Sequence, residues 1–199
     1  MNNIQTRTIA IFAAMAALMA ATRFNHFGSA VSLPDASYAV FFLGGLYLAR
    51  SARLSMAAFI ALILEAGLID YYATSVQGIS DWCMTPAYWF LIPTYASLWL
   101  VGRWFALRHT AMGHNMESKA LIVLAFAAWV ASSFAFTFSN ATFYLFSERY
   151  AEMSAAEYTS RVAQYYVSYV SVALLYIACA VAMHMVFDII NKQRALRSN

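Results

Sequence analysis

Apolar residues fall in six long runs, Ile9–Thr22, Ala36–Ala49, Leu54–Ala73, Pro86–Leu107, Ala120–Phe138 and Val162–Ile190, each separated from the next by a polar or charged stretch. Inside the runs, polar residues do not recur at helical spacing. They therefore read as helices that are apolar on every side, the pattern of segments that cross a bilayer. The expected architecture is all-α: a polytopic bundle of six transmembrane helices. The second run holds 14 residues, which as a helix covers ~21 Å of a hydrocarbon core ~30 Å thick. It follows the Gly- and Pro-containing stretch from Phe27-Gly28 to Leu33-Pro34. Truncated or irregular backbone at that depth is tolerated only where protein or a water-lined cavity satisfies it, so the pair predicts a cavity. The residues before Ile9 carry little positive charge, and no cleavage pattern leads into a soluble domain, so the first run reads as a retained helix. At 199 residues the spans and their connections fill the chain, giving one domain over 1–199.

Composition agrees, at 63% hydrophobic and 11% charged residues. The basic residues also set an orientation. With the N-terminus inside, Arg7, Arg50, Arg53, Arg103, Arg108, Lys119, Lys192, Arg194 and Arg197 fall on the inner side, and Arg23, Arg149 and Arg161 on the outer. Nine against three predicts an N-in, C-in topology. The outer connections are then Arg23–Asp35, Thr74–Thr85 and Ser139–Arg161, which also carry Asp35, Asp81, Glu148, Glu152 and Glu157. The longest of them, Ser139–Arg161, mixes charges with tyrosines and reads as an amphipathic helix lying over the outer mouth. Trp82, Tyr88, Trp89, Tyr95, Tyr144, Tyr165 and Tyr166 crowd the same side. They suit either an interfacial aromatic belt or a large amphipathic ligand held by stacking. The Asn140-Ala141-Thr142 sequon carries no weight without a eukaryotic secretory context.

Cys83 lies in Asp81-Trp82-Cys83-Met84-Thr85-Pro86, within the one inter-helical connection that lacks Lys and Arg. A thiolate there is a soft ligand on the outer side. A structural zinc site needs about four protein ligands, which one cysteine does not supply. Cys179 falls deep in the last run and reads as a buried, inert thiol at a different depth. Asn25 and His26 are placed either to hydrogen-bond a polar ligand or to cap loop backbone. Glu65 and Asp70 share a helix, and an ionisable group inside a span is a functional candidate by default. His184 and Asp188, spaced i, i+4 near an inner helix end, are spaced for metal ligation, but that position favours snorkelling or a partner contact. The first helix carries Ala10, Ala13, Ala14, Ala16, Ala17, Ala20 and Ala21. Small residues at that spacing let another helix approach closely, whether one of the chain's own or a partner's.

The six-run layout resembles a known family in three places: the Ala-rich first helix, the stretch Arg23-Phe24-Asn25-His26-Phe27-Gly28 leading to Leu33-Pro34-Asp35-Ala36-Ser37, and Cys83 ahead of an aromatic-rich fourth helix. It is the BtuM-type substrate-binding component of energy-coupling-factor vitamin transporters, and the resemblance covers essentially the whole chain. It implies a cobalamin-binding subunit of the bacterial cytoplasmic (inner) membrane. Cys83 would be an axial ligand to the cobalt of cobalamin and is linked in some members to removal of cyanide from cyanocobalamin. The ligand contacts expected with it are Asn25, His26, Asp35, Trp82, Tyr88, Trp89, Tyr144 and Tyr165. The resemblance also implies that the first helix, through Ala10, Ala13, Ala14 and Ala17, docks the coupling subunit of an ATPase module, although some members work without a dedicated one. The other readings are a similar component for another vitamin or a metal ion, with Cys83 incidental, and a membrane scaffold whose Ala-rich face is its main function.

No Gly-x-Ser-x-Gly elbow, His-Glu-x-x-His pair or phosphate-binding Gly-rich loop with its Lys occurs. The chain is therefore expected to be a transport protein rather than an enzyme, with no nucleic-acid partner and no ATPase of its own.

Overall fold

The computed structural model describes residues 3–23, 33–49, 51–110 and 118–197. These residues form helices throughout: α1 (Asn3–Arg23), α2 (Ser37–Tyr47), α3 (Ala52–Ser75), a 3-10 turn at Pro86–Phe90 that runs into α4 (Leu91–Thr110), α5 (Ser118–Phe146) and α6 (Ala155–Arg197). Pro93 sits in the first turn of α4, where a backbone N–H has no intrahelical acceptor to lose. Five of the helices, α1, α3, α5, α6 and the 3-10 turn with α4, are long and apolar enough to cross a membrane. α2 is not. Its 11 residues cover ~16 Å.

α2 is short because it is the centre of the bundle rather than part of its wall. Ser37, Ala39, Val40, Phe41, Phe42, Leu43, Gly44 and Gly45 are all buried, and α4, α1, α6 and α3 pack around it. Its ends are satisfied by protein. Asp35 Oδ1 accepts from the Ser37 backbone N–H at 2.9 Å and from its hydroxyl at 2.7 Å. At the other end, Arg103 Nη1 donates to the Ala49 carbonyl at 2.9 Å. Each side chain also has the sign that favours its helix terminus.

In lipid, apolar burial gives helices no reason to associate, and close packing must do so. The α2–α4 crossing depends on three glycines. A Cβ on Gly45 would overlap the Trp99 carbonyl oxygen, one on Gly102 the Phe42 carbonyl oxygen, and one on Gly44 the Trp99 indole. The two backbones thus touch across a gap that admits no side chain. The Trp99 indole N–H reaches on to Ser55 Oγ of α3 at 3.1 Å, and Phe41 stacks on Tyr95 at 4.2 Å between ring centroids.

Two expectations from the sequence are corrected here. The 139–161 connection holds no helix lying over the mouth: α5 continues to Phe146 and α6 begins at Ala155, leaving residues 147–154 as the link. Thr142, Ser139 and Asn140 turn their side chains back onto carbonyls of their own helix, at 2.8 to 3.1 Å. Their polarity is thereby absorbed without ending α5. Cys179 lies midway along α6, but on its exposed face and not in the core.

Gly45→Ala and Gly102→Ala should each destabilise the protein by about 1–3 kcal/mol, because a backbone oxygen cannot swing aside as a side chain can. Gly67→Ala, where a Cβ meets nothing within 4 Å, should be neutral or slightly stabilising. Thermal unfolding of detergent-purified variants measures the difference. Equal effects at all three positions would contradict the glycine contact.

Candidate functional site

The link between α3 and the 3-10 turn, residues 76–85, carries Cys83. Gly78, with φ of 68°, supplies the left-handed residue that turns the chain after α3. A tight turn follows, with Met84 N–H bonded to the Asp81 carbonyl at 2.8 Å and Thr85 N–H to that of Cys83 at 3.0 Å. Cys83 is exposed and free. Beside it, the Arg149 guanidinium lies 4.6 Å from the centroid of the Trp82 ring, tying this link to the 147–154 link.

Arg23 is the hub beneath the link. It is 7% exposed at the end of α1, and its Nε donates to Asp70 Oδ1 at 2.8 Å while Nη2 pairs with Oδ2. Nη1 donates to Ser37 Oγ and to the Tyr95 hydroxyl, both at 2.9 Å, and lies 3.9 Å from Asp35 Oδ2. Tyr88, in the 3-10 turn that follows Cys83, donates its hydroxyl to Asp70 Oδ2 at 2.8 Å. One guanidinium therefore connects α1, α2, α3 and α4, and through Asp70 and Tyr88 it reaches the backbone that carries the thiol. A bidentate Arg–carboxylate pair adds geometric specificity to that connection.

The environment acts on the thiol in both directions. Although Cys83 is exposed, its partial burial by the surrounding rings and backbone pushes its pKa above the ordinary value and the Asp70 carboxylate adds to this, while Arg149 and Arg23 pull it back. Among the described residues no group of three or more His, Cys, Asp or Glu is placed to hold a metal ion.

The other expected contacts separate into two groups. Trp82, Cys83 and Tyr88 are within one short stretch, with the Tyr88 hydroxyl engaged by Asp70, and Trp89 and Tyr165 are 72% and 54% exposed. Tyr144 and Asp35 are engaged internally. The Tyr144 hydroxyl donates to the Met153 carbonyl at 2.8 Å and its ring packs on Tyr158 at 4.9 Å, while Asp35 caps α2. Tyr95 is in the core, and Tyr166 bonds Ser133 at 2.7 Å and packs on Phe136. Asn25 and His26 lie outside the described residues. An open cleft of about 300 Å³ is lined by Arg149 together with Glu148, Glu152 and Glu157, among others.

The sequence reading named Arg23 and Ser37 only as part of one stretch, Tyr95 as one of the crowded aromatics and Asp70 without a partner, and it missed that the four meet. A usable signal was present. Arg23 ends the first apolar run and Asp70 nearly ends the third, and two helices running the same way bring such ends to one depth. At the opposite end of the bundle, His184 does face Asp188, at 3.3 Å between Nε2 and Oδ2, while its other ring nitrogen lies 3.4 Å from the Tyr47 hydroxyl. The second contact joins α6 to α2.

Removing either partner of the buried Arg23–Asp70 pair strands a charge. Arg23→Leu and Asp70→Leu should each cost about 3–5 kcal/mol. The double variant should cost less than the sum of the two by roughly 1–3 kcal/mol. Denaturant or thermal unfolding of the purified proteins gives that coupling, and strict additivity would contradict the pairing. Compared with known proteins, the chain matches no protein-family model and no curated protein, so its function is argued from the site itself.

Proposed function

We propose that this chain is a membrane-embedded cobalamin-binding and uptake subunit in which the Cys83 sulfur is an axial ligand to the cobalt. The observation that carries the reading is the exposed Cys83 thiol on a link clamped from two sides, by Trp82 under Arg149 and by Tyr88 on Asp70. Soft sulfur binds cobalt in a corrin well, and the exposed rings of Trp82, Trp89 and Tyr165 offer stacking surface to a large amphipathic ligand. The resemblance to BtuM-type components of energy-coupling-factor transporters supports the same ligand.

The charge distribution supports an N-in, C-in arrangement of six membrane helices, α2 being the sheltered one, in a bacterial cytoplasmic membrane. Cys83 then faces outward. Ala10, Ala13, Ala14 and Ala17 are all exposed along one side of α1, which supports that face as the docking surface for a coupling subunit where one exists. Without such a partner the chain equilibrates its ligand or relies on trapping inside the cell.

Purified from cells grown with cobalamin, the protein should be coloured, and its corrin bands should be shifted from those of the free vitamin. Cys83→Ala and Cys83→Ser should abolish the shift while retaining part of the binding, and Cys179→Ala should leave it unchanged. Because the thiol's pKa is raised and the ligating form is the thiolate, ligation should strengthen by up to ~10-fold per pH unit as pH rises toward that pKa, then level off above it. Identical spectra for wild type and Cys83→Ala at every pH would remove the axial-ligand role.

A further inference from the structure

Glu65 stands midway along α3, the fourteenth of its 24 residues. At 1.5 Å per residue it lies roughly 20 Å from one end of the helix and roughly 15 Å from the other. Its two-methylene side chain is too short to reach either membrane surface as a lysine would. Asp70, on the same helix, is near the end and held by Arg23. Glu65, by contrast, receives no hydrogen bond or ion pair from any described residue and is half-buried at the edge of the exposed face of α3. One and two turns before it on the same i, i+4 row, Ala61 and Ala57 are exposed, and Leu64 and Leu68 flank the row at 60% and 68% exposure.

Hydrocarbon offers this carboxyl nothing to bond with. A carboxylic acid carries its own donor and its own acceptor, so a second copy of the same group completes it with no other side chain needed. A two-fold axis supplies that copy, because each residue near it then faces its own counterpart. Exposed alanines at Ala57 and Ala61 let two backbones approach closely enough for the acids to meet. We propose that two copies of this chain associate in the bilayer through α3, with the Glu65 carboxyls hydrogen-bonded to each other beside an Ala57–Ala61 contact. The association is separate from the outer site and does not depend on what binds there.

Energy transfer between donor- and acceptor-labelled copies, reconstituted in phosphatidylcholine vesicles over a range of protein-to-lipid ratios, tests it. Wild type should associate, and Glu65→Leu should weaken association by roughly tenfold, the scale of interhelical hydrogen bonding in lipid. Glu65→Gln, whose amide also both donates and accepts, should retain most of it. Ala61→Leu should weaken it by holding the backbones apart, and Leu175→Ala on the exposed face of α6 should change nothing. The proposal is overturned by a monomeric wild type at every ratio, by unchanged association in Glu65→Leu, or by as complete a loss in Glu65→Gln as in Glu65→Leu.

Discussion

The Arg23 guanidinium holds together the end of the bundle that carries Cys83. It ends α1, pairs with Asp70 of α3, and bonds Ser37 at the start of α2 and Tyr95 of α4. In water, apolar burial would align these helices. In lipid it does not, so their relative depth and rotation depend on directional contacts and on close packing. Removing two charges from solvent is costly, and the arrangement tolerates that cost because nearly every polar atom around Arg23 is bonded. Asp70 takes two donors from Arg23 and one from Tyr88, and Asp35 takes two from Ser37. The network fixes the base from which the Cys83 link rises.

The glycine contact does the corresponding work in the middle of the bundle. Gly44, Gly45 and Gly102 let α2 and α4 touch, and a central helix too short to span is then sheltered along its whole length. Phe41 and Tyr38 of α2 form a chain of ring contacts with Tyr95 of α4 and Tyr169 of α6. At this end of the bundle the ring contacts and the buried ion network join the helices, and the two links are joined through Trp82 and Arg149.

Helix positions were legible because long apolar runs in a chain of this composition have few alternatives. The short second run was legible for the same reason, and its sheltered position follows from the backbone polar groups at its ends. The pairing of Arg23 with Asp70 was not, since the two are 47 residues apart and a lone charge at the end of a span reads equally well as solvated. Tyrosine is at home in a core, a belt or a ligand site, so the sequence could not separate Tyr95 and Tyr144, which are used internally, from Tyr165, which is exposed. The helix expected within 139–161 failed because hydroxyl and amide side chains bonded to their own helix look, in sequence, like the polar residues of a loop. Cys83 stood out because its chemistry is unlike that of everything around it.

The exposed Cys83 sulfur sits above this network, and the central proposal is that this atom meets cobalt. Cobalt K-edge X-ray absorption on the protein–cobalamin complex reads that contact directly. The account predicts a sulfur scatterer in the first coordination shell of cobalt in the wild-type complex and its loss in Cys83→Ala. A shell of nitrogen and oxygen alone in the wild-type protein would contradict it.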